Sequence, residues 1–173
     1  LHESAGQEVA DAERSARQLG IDFHVFDWRH EFSELVQSPF IRGYQAGETP
    51  NPCVICNKTV KFGLFLQQAL ALGYDGMATG HYARVEYDAG SGRYLVKTAL
   101  DASKDQTYML YHLSQAQLSR ILLPMGGYTK PQARELAQAL GLSVAQKHDS
   151  QDICFIPDGD YMAFLTRSGV VPQ

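Results

Sequence analysis

The chain has 173 residues, 45% of them apolar, and a formal net charge of −4; it can bury one sizeable core, which excludes a disordered or low-complexity protein. The acidic balance carries no global nucleic-acid signature, so any RNA contact must come from local patches. Three cysteines without a charged and apolar leader fit a reducing cytoplasm rather than a disulfide framework, and no apolar run approaches membrane-spanning length.

The chain opens at Leu1-His2-Glu3-Ser4 without methionine, which reads as a fragment. Val9, Ala12, Ala16 and Leu19 recur at helical spacing and Gly20 closes the element. Residues 21–27 alternate and are rich in β-formers. A strand is therefore predicted after the helix, half of a βαβ unit and hence part of a parallel sheet. Phe32, Leu35, Val36, Phe40 and Tyr44 predict a helix interrupted at Pro39, and Gly47 releases the chain into Thr49-Pro-Asn-Pro-Cys-Val-Ile-Cys-Asn-Lys58.

That stretch is where chemistry is expected. Pro50 and Pro52 hold the residues before them extended, so Asn57 is the predicted N-cap of a helix carrying Val60, Phe62, Leu64, Phe65, Leu66, Leu70 and Leu72 and ended by Gly73. Cys56 would then stand at a helix N-terminus, where the dipole and free N–H groups favour a thiolate and Lys58 and Lys61 add positive charge; it is a candidate nucleophile. Cys53 and Cys56 also fit small buried apolar groups, half of a zinc site or a redox pair. A four-cysteine zinc site is excluded, because Cys154 is the only further cysteine.

Residues 76–80 predict a short buried strand ending at Gly80, followed at once by His81 and Tyr82. In open α/β sheets ligands lie beyond the carboxyl ends of strands, and a glycine there lets backbone approach a nucleotide; the plainer readings are a simple turn and a hydrogen-bonded histidine. Residues 83–87 and 93–97 flank a turn holding Gly90 and Gly92, a predicted β-hairpin. Residues 102–111 read as a polar head on an aromatic helical segment, in which Lys104, Asp105 and Gln106 either cap a helix in solvent or contact phosphates and base edges. Ser114 is expected to cap a helix over 115–122, and Thr129 one that runs through Pro131, Glu135, Leu136 and Leu140 to Gly141. A polar run at 146–152 leads into Ile153-Cys154-Phe155-Ile156, read as a buried strand or strand end, and Asp158-Gly159-Asp160 caps a last segment with Tyr161, Phe164 and Leu165.

Four segments, Thr49 to Lys58, Ala78-Thr-Gly-His-Tyr-Ala-Arg84, Lys104-Asp-Gln-Thr-Tyr108 and Asp149-Ser-Gln-Asp-Ile-Cys-Phe-Ile156, occur in that order. Together they resemble the bacterial tRNA-specific 2-thiouridylases, and the likeness extends over essentially the whole chain. The resemblance implies an α/β, parallel-sheet domain of the adenine-nucleotide α-hydrolase-like (PP-loop ATP pyrophosphatase) type over residues 1–157. It also implies a β-hairpin, a helical tRNA-contacting insertion at about 102–127, and the start of a central tRNA-binding domain at 158–173.

The activity implied is 2-thiolation of the wobble uridine of tRNA with ATP and Mg: ATP adenylates the uracil C2 oxygen, AMP becomes the leaving group, and a protein-borne sulfur displaces it. By the same resemblance Cys154 carries the sulfur as a persulfide, and Cys56 releases it or attacks it, closing a Cys56–Cys154 disulfide. Gly80 is implied to contact the nucleotide; His81, Lys104, Asp105 and Gln106 the tRNA; and Asn51, Pro52 and Cys53 to wall the flipped target base. A sulfur-donor protein, a persulfide relay or a cysteine desulfurase, is the implied partner.

Two departures from that family stand out. Its Ser-Gly-Gly-x-Asp-Ser pyrophosphate loop and its C-terminal β-barrel are not found in these residues, so a partial chain, inactive alone, is expected. Cys53 occupies a position where many members carry an aspartate proposed as general acid/base, and Cys53, Cys56 and Cys154 together suit a [4Fe–4S] cluster with one open iron. The competing classes are another adenylating ATP pyrophosphatase, which needs no distant cysteine pair, and a zinc or RNA-binding module built on Cys53, Cys56, Cys154 and His81.

Overall fold

The computed structural model describes residues 3–142 and 153–170. The opening Leu1-His2, the polar run at 146–152 and the terminal Val171-Pro172-Gln173 lie outside the described residues. In chain order the elements are α1 (Glu3–Leu19), α2 (Arg29–Phe32), α3 (Ser38–Gln45), α4 (Pro52–Cys56), α5 (Leu66–Ala71), β1 (Met77–Ala78), β2 (Ala83–Asp88), β3 (Arg93–Thr98), α6 (Gln115–Leu118), β4 (Ile121–Leu122), α7 (Lys130–Ala139) and α8 (Tyr161–Arg167). They divide into two compact units, residues 1–50 with 134–173, and residues 51–133. Among the described residues no helix is long and apolar enough to cross a membrane.

In the first unit residues 21–27, expected as a strand, belong to no strand pair among the described residues. A strand needs a neighbour for its backbone groups, and the pairs among the described residues are β1 with β4 and β2 with β3. Alternate rings of the segment stack along one side, His24 on Phe26 at 6.3 Å and Phe26 on Trp28 at 5.2 Å. Pro39 does not interrupt its helix either. A π-helical stretch, Ser33–Gln37, joins α2 to α3, and the wider turn leaves room for the proline ring in the first turn of α3.

The core of this unit is aromatic. Phe40, Ile156 and Leu165 are buried, and Phe155 lies edge-on to Phe40 at 5.4 Å and to Phe32 at 5.8 Å. Residues 153–156 form a turn rather than the expected strand: the Ile156 N–H donates to the Ile153 carbonyl at 2.8 Å, which puts Cys154 and Phe155 at its two central positions. Asp160 caps α8, accepting the Ala163 N–H at 2.8 Å.

The second unit is built on Phe62, Leu66, Met77, Ala83, Leu110, Leu118, Ile121 and Leu123, all buried together. A helix runs from α4 through a π-helical stretch, Asn57–Phe65, into α5, and its apolar face covers β1. The parallel sheet is here a two-residue pair: Met77 and Ala78 lie beside Ile121 and Leu122, and the Met77 and Thr79 N–H groups donate to Arg120 and Leu122 at 2.9 and 3.1 Å. That pairing ends α6 at Leu118 rather than at 122, because Ile121 and Leu122 gain ladder bonds and burial for Ile121 by leaving the helix. The hairpin is as expected, with Ala83 opposite Thr98 and Asp88 opposite Arg93. Residues 102–111 are two 3₁₀ turns, Ala102–Lys104 and Thr107–Met109, because Asp101 and Asp105 accept the Ser103 and Thr107 N–H groups and close local turns before a helix can propagate.

Gly126 packs its backbone against β2, where an added Cβ would lie 1.9 Å from the Ala83 carbonyl oxygen. Gly126→Ala is expected to lower stability by about 1–3 kcal/mol. Gly127→Ala, with nothing within 4 Å, should stay within about 0.5 kcal/mol. Urea unfolding followed by circular dichroism measures both.

Candidate functional site

The cysteine helix starts earlier than the sequence suggests. Asn51 is its N-cap, with the side-chain oxygen accepting the Cys53 and Val54 N–H groups at 3.1 and 3.3 Å, and Pro52 follows in the first turn. Proline suits that position: its φ is already helical and its missing N–H is one that needs no partner. Cys53 therefore lies in the first turn and Cys56 a turn further in, which corrects the placement of Cys56 at a helix N-terminus. Asn57, expected as the cap, is inside the helix and 2% exposed. Its amide donates to the Cys53 carbonyl at 2.9 Å and to the Met109 sulfur at 3.6 Å, tying the cysteine helix to the Thr107–Met109 turn. The three cysteines carry thiols, half-buried at Cys53 and Cys56 and exposed at Cys154. Burial pushes the Cys53 thiol up, and the charge of Lys61 offsets this only in part.

At the carboxyl end of β1 a cleft of about 460 Å³ opens, lined by Lys61, Phe65, Met77, Ala78, Thr79, Gly80, His81 and Gln106. Gly80 has no left-handed φ and nothing within 4 Å of an added Cβ. The protein's own packing makes no demand for glycine there, while a ligand lying against the backbone would. His81 is 7% exposed, packs on Phe62 at 5.7 Å between ring centroids, and holds Thr79 Oγ1 at 2.7 Å from Nδ1. Burial, and then the Lys61 charge, lower its pKa from 6.5 to about 4, so the imidazole is neutral at pH 7.

Gln106 is clamped to the residue after His81. Its backbone N–H donates to the Tyr82 carbonyl at 2.8 Å, and its side-chain oxygen accepts the Tyr82 N–H at 3.0 Å. With the oxygen so used, the amide N–H groups are the end left for the cleft. Asp105 is absorbed by the turn, its carboxylate accepting Ala99 N–H at 2.7 Å, Thr107 Oγ1 at 2.9 Å and Thr107 N–H at 3.1 Å. Burial raises its pKa, but these bonds together outweigh that and hold it below the usual carboxylate range. Lys104 is exposed beside it.

Of the sequence candidates, Asn51, Pro52, Cys53 and Cys56 share one helix start, and Gly80, His81 and Gln106 line one cleft; Cys154 belongs to the other unit, on the turn anchored by Phe155. Lys61, Phe65 and Thr79 were missed as cleft residues; the available signal was the i, i+4 pair Lys61 and Phe65 on the cysteine helix. The cleft suits a nucleotide in size and in its open glycine floor. Among the described residues no three His, Cys, Asp or Glu side chains are grouped to hold a metal.

A histidine with a lower pKa folded than unfolded binds fewer protons in the folded state, so its support for folding is complete above pH 6.5 and is lost as pH falls towards 4. The urea midpoint is expected to drop across that window, and His81→Gln should flatten the drop.

Residues 2–158 match the family described as tRNA methyl transferase HUP domain. The tRNA-specific 2-thiouridylase MnmA of Heliobacterium modesticaldum is 54% identical over 157 residues, covering 91% of this chain and 41% of that protein. The enzymes of the same name from Solibacter usitatus and Chloroflexus aurantiacus are each 50% identical, over 92% and 93% of this chain and 43% and 45% of their own lengths. The chain thus spans less than half the length of these relatives. A family match that runs from α1 through the cysteine helix and the cleft to the Cys154 turn settles the assignment: the chain belongs to the tRNA methyl transferase HUP domain family, an α/β fold of the adenine-nucleotide α-hydrolase type.

Proposed function

We propose that this chain is part of the catalytic domain of an enzyme that thiolates C2 of the wobble uridine in tRNA, using ATP with Mg in the cytoplasm and sulfur from a donor protein such as a cysteine desulfurase or a persulfide relay. The observation that carries the reading is the convergence of Gly80, His81 and Gln106 on one cleft beside the helix of Cys53 and Cys56. The sequences of the thiouridylases it matches support it as well.

In this reading AMP is transferred from ATP to the uracil C2 oxygen, with pyrophosphate released. The terminal sulfur of a Cys154 persulfide attacks C2, and the C2–O bond breaks with its electron pair leaving on AMP. A Cys56 thiolate then attacks the Cys154 sulfur, breaks the bond to the transferred sulfur and closes a Cys56–Cys154 disulfide, which an external dithiol reduces. Gly80 admits the nucleotide, while Gln106 and His81 present neutral hydrogen-bonding groups to the RNA. Asn51 and Pro52 hold a rigid wall for the extruded base, where Cys53, kept protonated by burial, takes the place of the aspartate. Asp105 sets the turn that presents Lys104 to the tRNA backbone, and residues 158–173 begin a second tRNA-binding region.

Mass spectrometry of tRNA from cells lacking the intact gene should show loss of 2-thiouridine, restored by the gene and not by Cys56→Ser or Cys154→Ser. Unchanged 2-thiouridine in cells lacking the gene would leave the other adenylating chemistry as the better reading, and restoration by both serine variants would remove the cysteine relay. Gly80→Ala is expected to keep the melting temperature and weaken ATP binding about tenfold or more, because a methyl group enters the space of the ligand.

A further inference from the structure

Lys61 is the lysine or arginine that lines the cleft, and no carboxylate lines it. The cation sits on the cysteine helix, one turn before Phe65, and is exposed to solvent along this rim. Its charge is felt on two sides, by the Cys53 thiol and by the His81 imidazole. Among the described residues the ion pairs use Arg14, Arg17, Arg29, His30, Arg84 and Lys97, and Lys61 enters none of them. An ammonium group that lines one cleft with an open glycine and a neutral imidazole, and has no counter-charge among the described residues, is matched by an anionic ligand rather than by the protein itself.

We propose that Lys61 is the phosphate-holding residue of this cleft, pairing with the α-phosphate of an adenylate that lies against Gly80. The inference rests on the adenylating reading above and adds to it a residue and a role. When sulfur displaces AMP from C2, the C2–O electron pair departs on the phosphate-bearing fragment, whose charge grows. The Lys61 ammonium group stabilises that charge, so its interaction is stronger as the bond breaks than before it. The neighbouring His81 stays neutral and does not compete for the phosphate.

The test uses the full-length protein that contains this chain, with Lys61→Gln and Lys61→Arg. Titration with AMP measures the pairing directly, and rapid-quench assay of tRNA-dependent AMP release at saturating ATP measures the step. Lys61→Gln should weaken AMP binding and slow AMP release by about 10- to 100-fold each, the range of a charged hydrogen bond. Lys61→Arg should recover most of both, and affinity for tRNA without nucleotide should remain within twofold. Unchanged AMP binding and release in folded Lys61→Gln overturns the proposal. So does a loss confined to tRNA affinity, which would assign Lys61 to the RNA backbone. Failure of the adenylating reading is distinct: the unmutated protein would then release no AMP in response to tRNA, whatever Lys61 does to AMP binding.

Discussion

Burial of Phe62 and Leu66 against the short parallel pair is the constraint on which the unit of residues 51–133 depends. Phe62 is 1% exposed and Leu66 4%, and each contributes about 1.5–3 kcal/mol by leaving water. Once those two side chains face inward, the rotation of the whole helix is fixed. Lys61 and Phe65, one residue before each, then fall on the cleft rim, and Cys53 and Cys56 are left half-buried one to two turns upstream. The same packing holds β1 in place, so that Gly80 and His81 emerge at a defined point.

The cleft's electrostatics follow from what this core takes out of solvent. His81 loses its charge to burial, and Cys53 keeps its proton for the same reason. Asp105, the nearest acidic residue in the Lys104–Gln106 motif, is occupied by three hydrogen bonds from Ala99 and Thr107. What remains along the cleft is one ammonium group, an amide, a hydroxyl and a neutral imidazole. Such a lining favours an anion and tolerates a base edge, without a carboxylate to repel phosphate.

Each unit holds its candidate cysteines on an element fixed by side-chain contacts. In one, Asn51 satisfies the first N–H groups of the cysteine helix and Asn57 ties that helix to Met109. In the other, Phe155 is wedged among Phe32, Phe40 and Phe164, so the turn that displays Cys154 is fixed by the ring next to it. The neighbouring Phe155 ring thus anchors the turn on which the exposed thiol stands.

The residues by themselves determined the cysteine helix with its apolar stripe, the hairpin with its glycine turn, the glycine at the end of a short strand and the order of the four motifs, because each depends on local backbone preference or on side chains close in sequence. They misplaced the helix start, since Pro52 reads as a barrier until Asn51 is seen capping it, and they read Asn57 as a cap because a buried amide and a capping amide look alike in one dimension. They also gave strands at 21–27 and 153–156 and a helix through 122, where apolar alternation cannot say whether a hydrogen-bonding neighbour exists. Only the tertiary structure decided that Gln106 grips Tyr82 across 24 positions, that Ile121 pairs with Met77, and that Lys61 stands over Gly80's cleft. Those are contacts between distant segments, set by which apolar faces bury together, and no local preference encodes them.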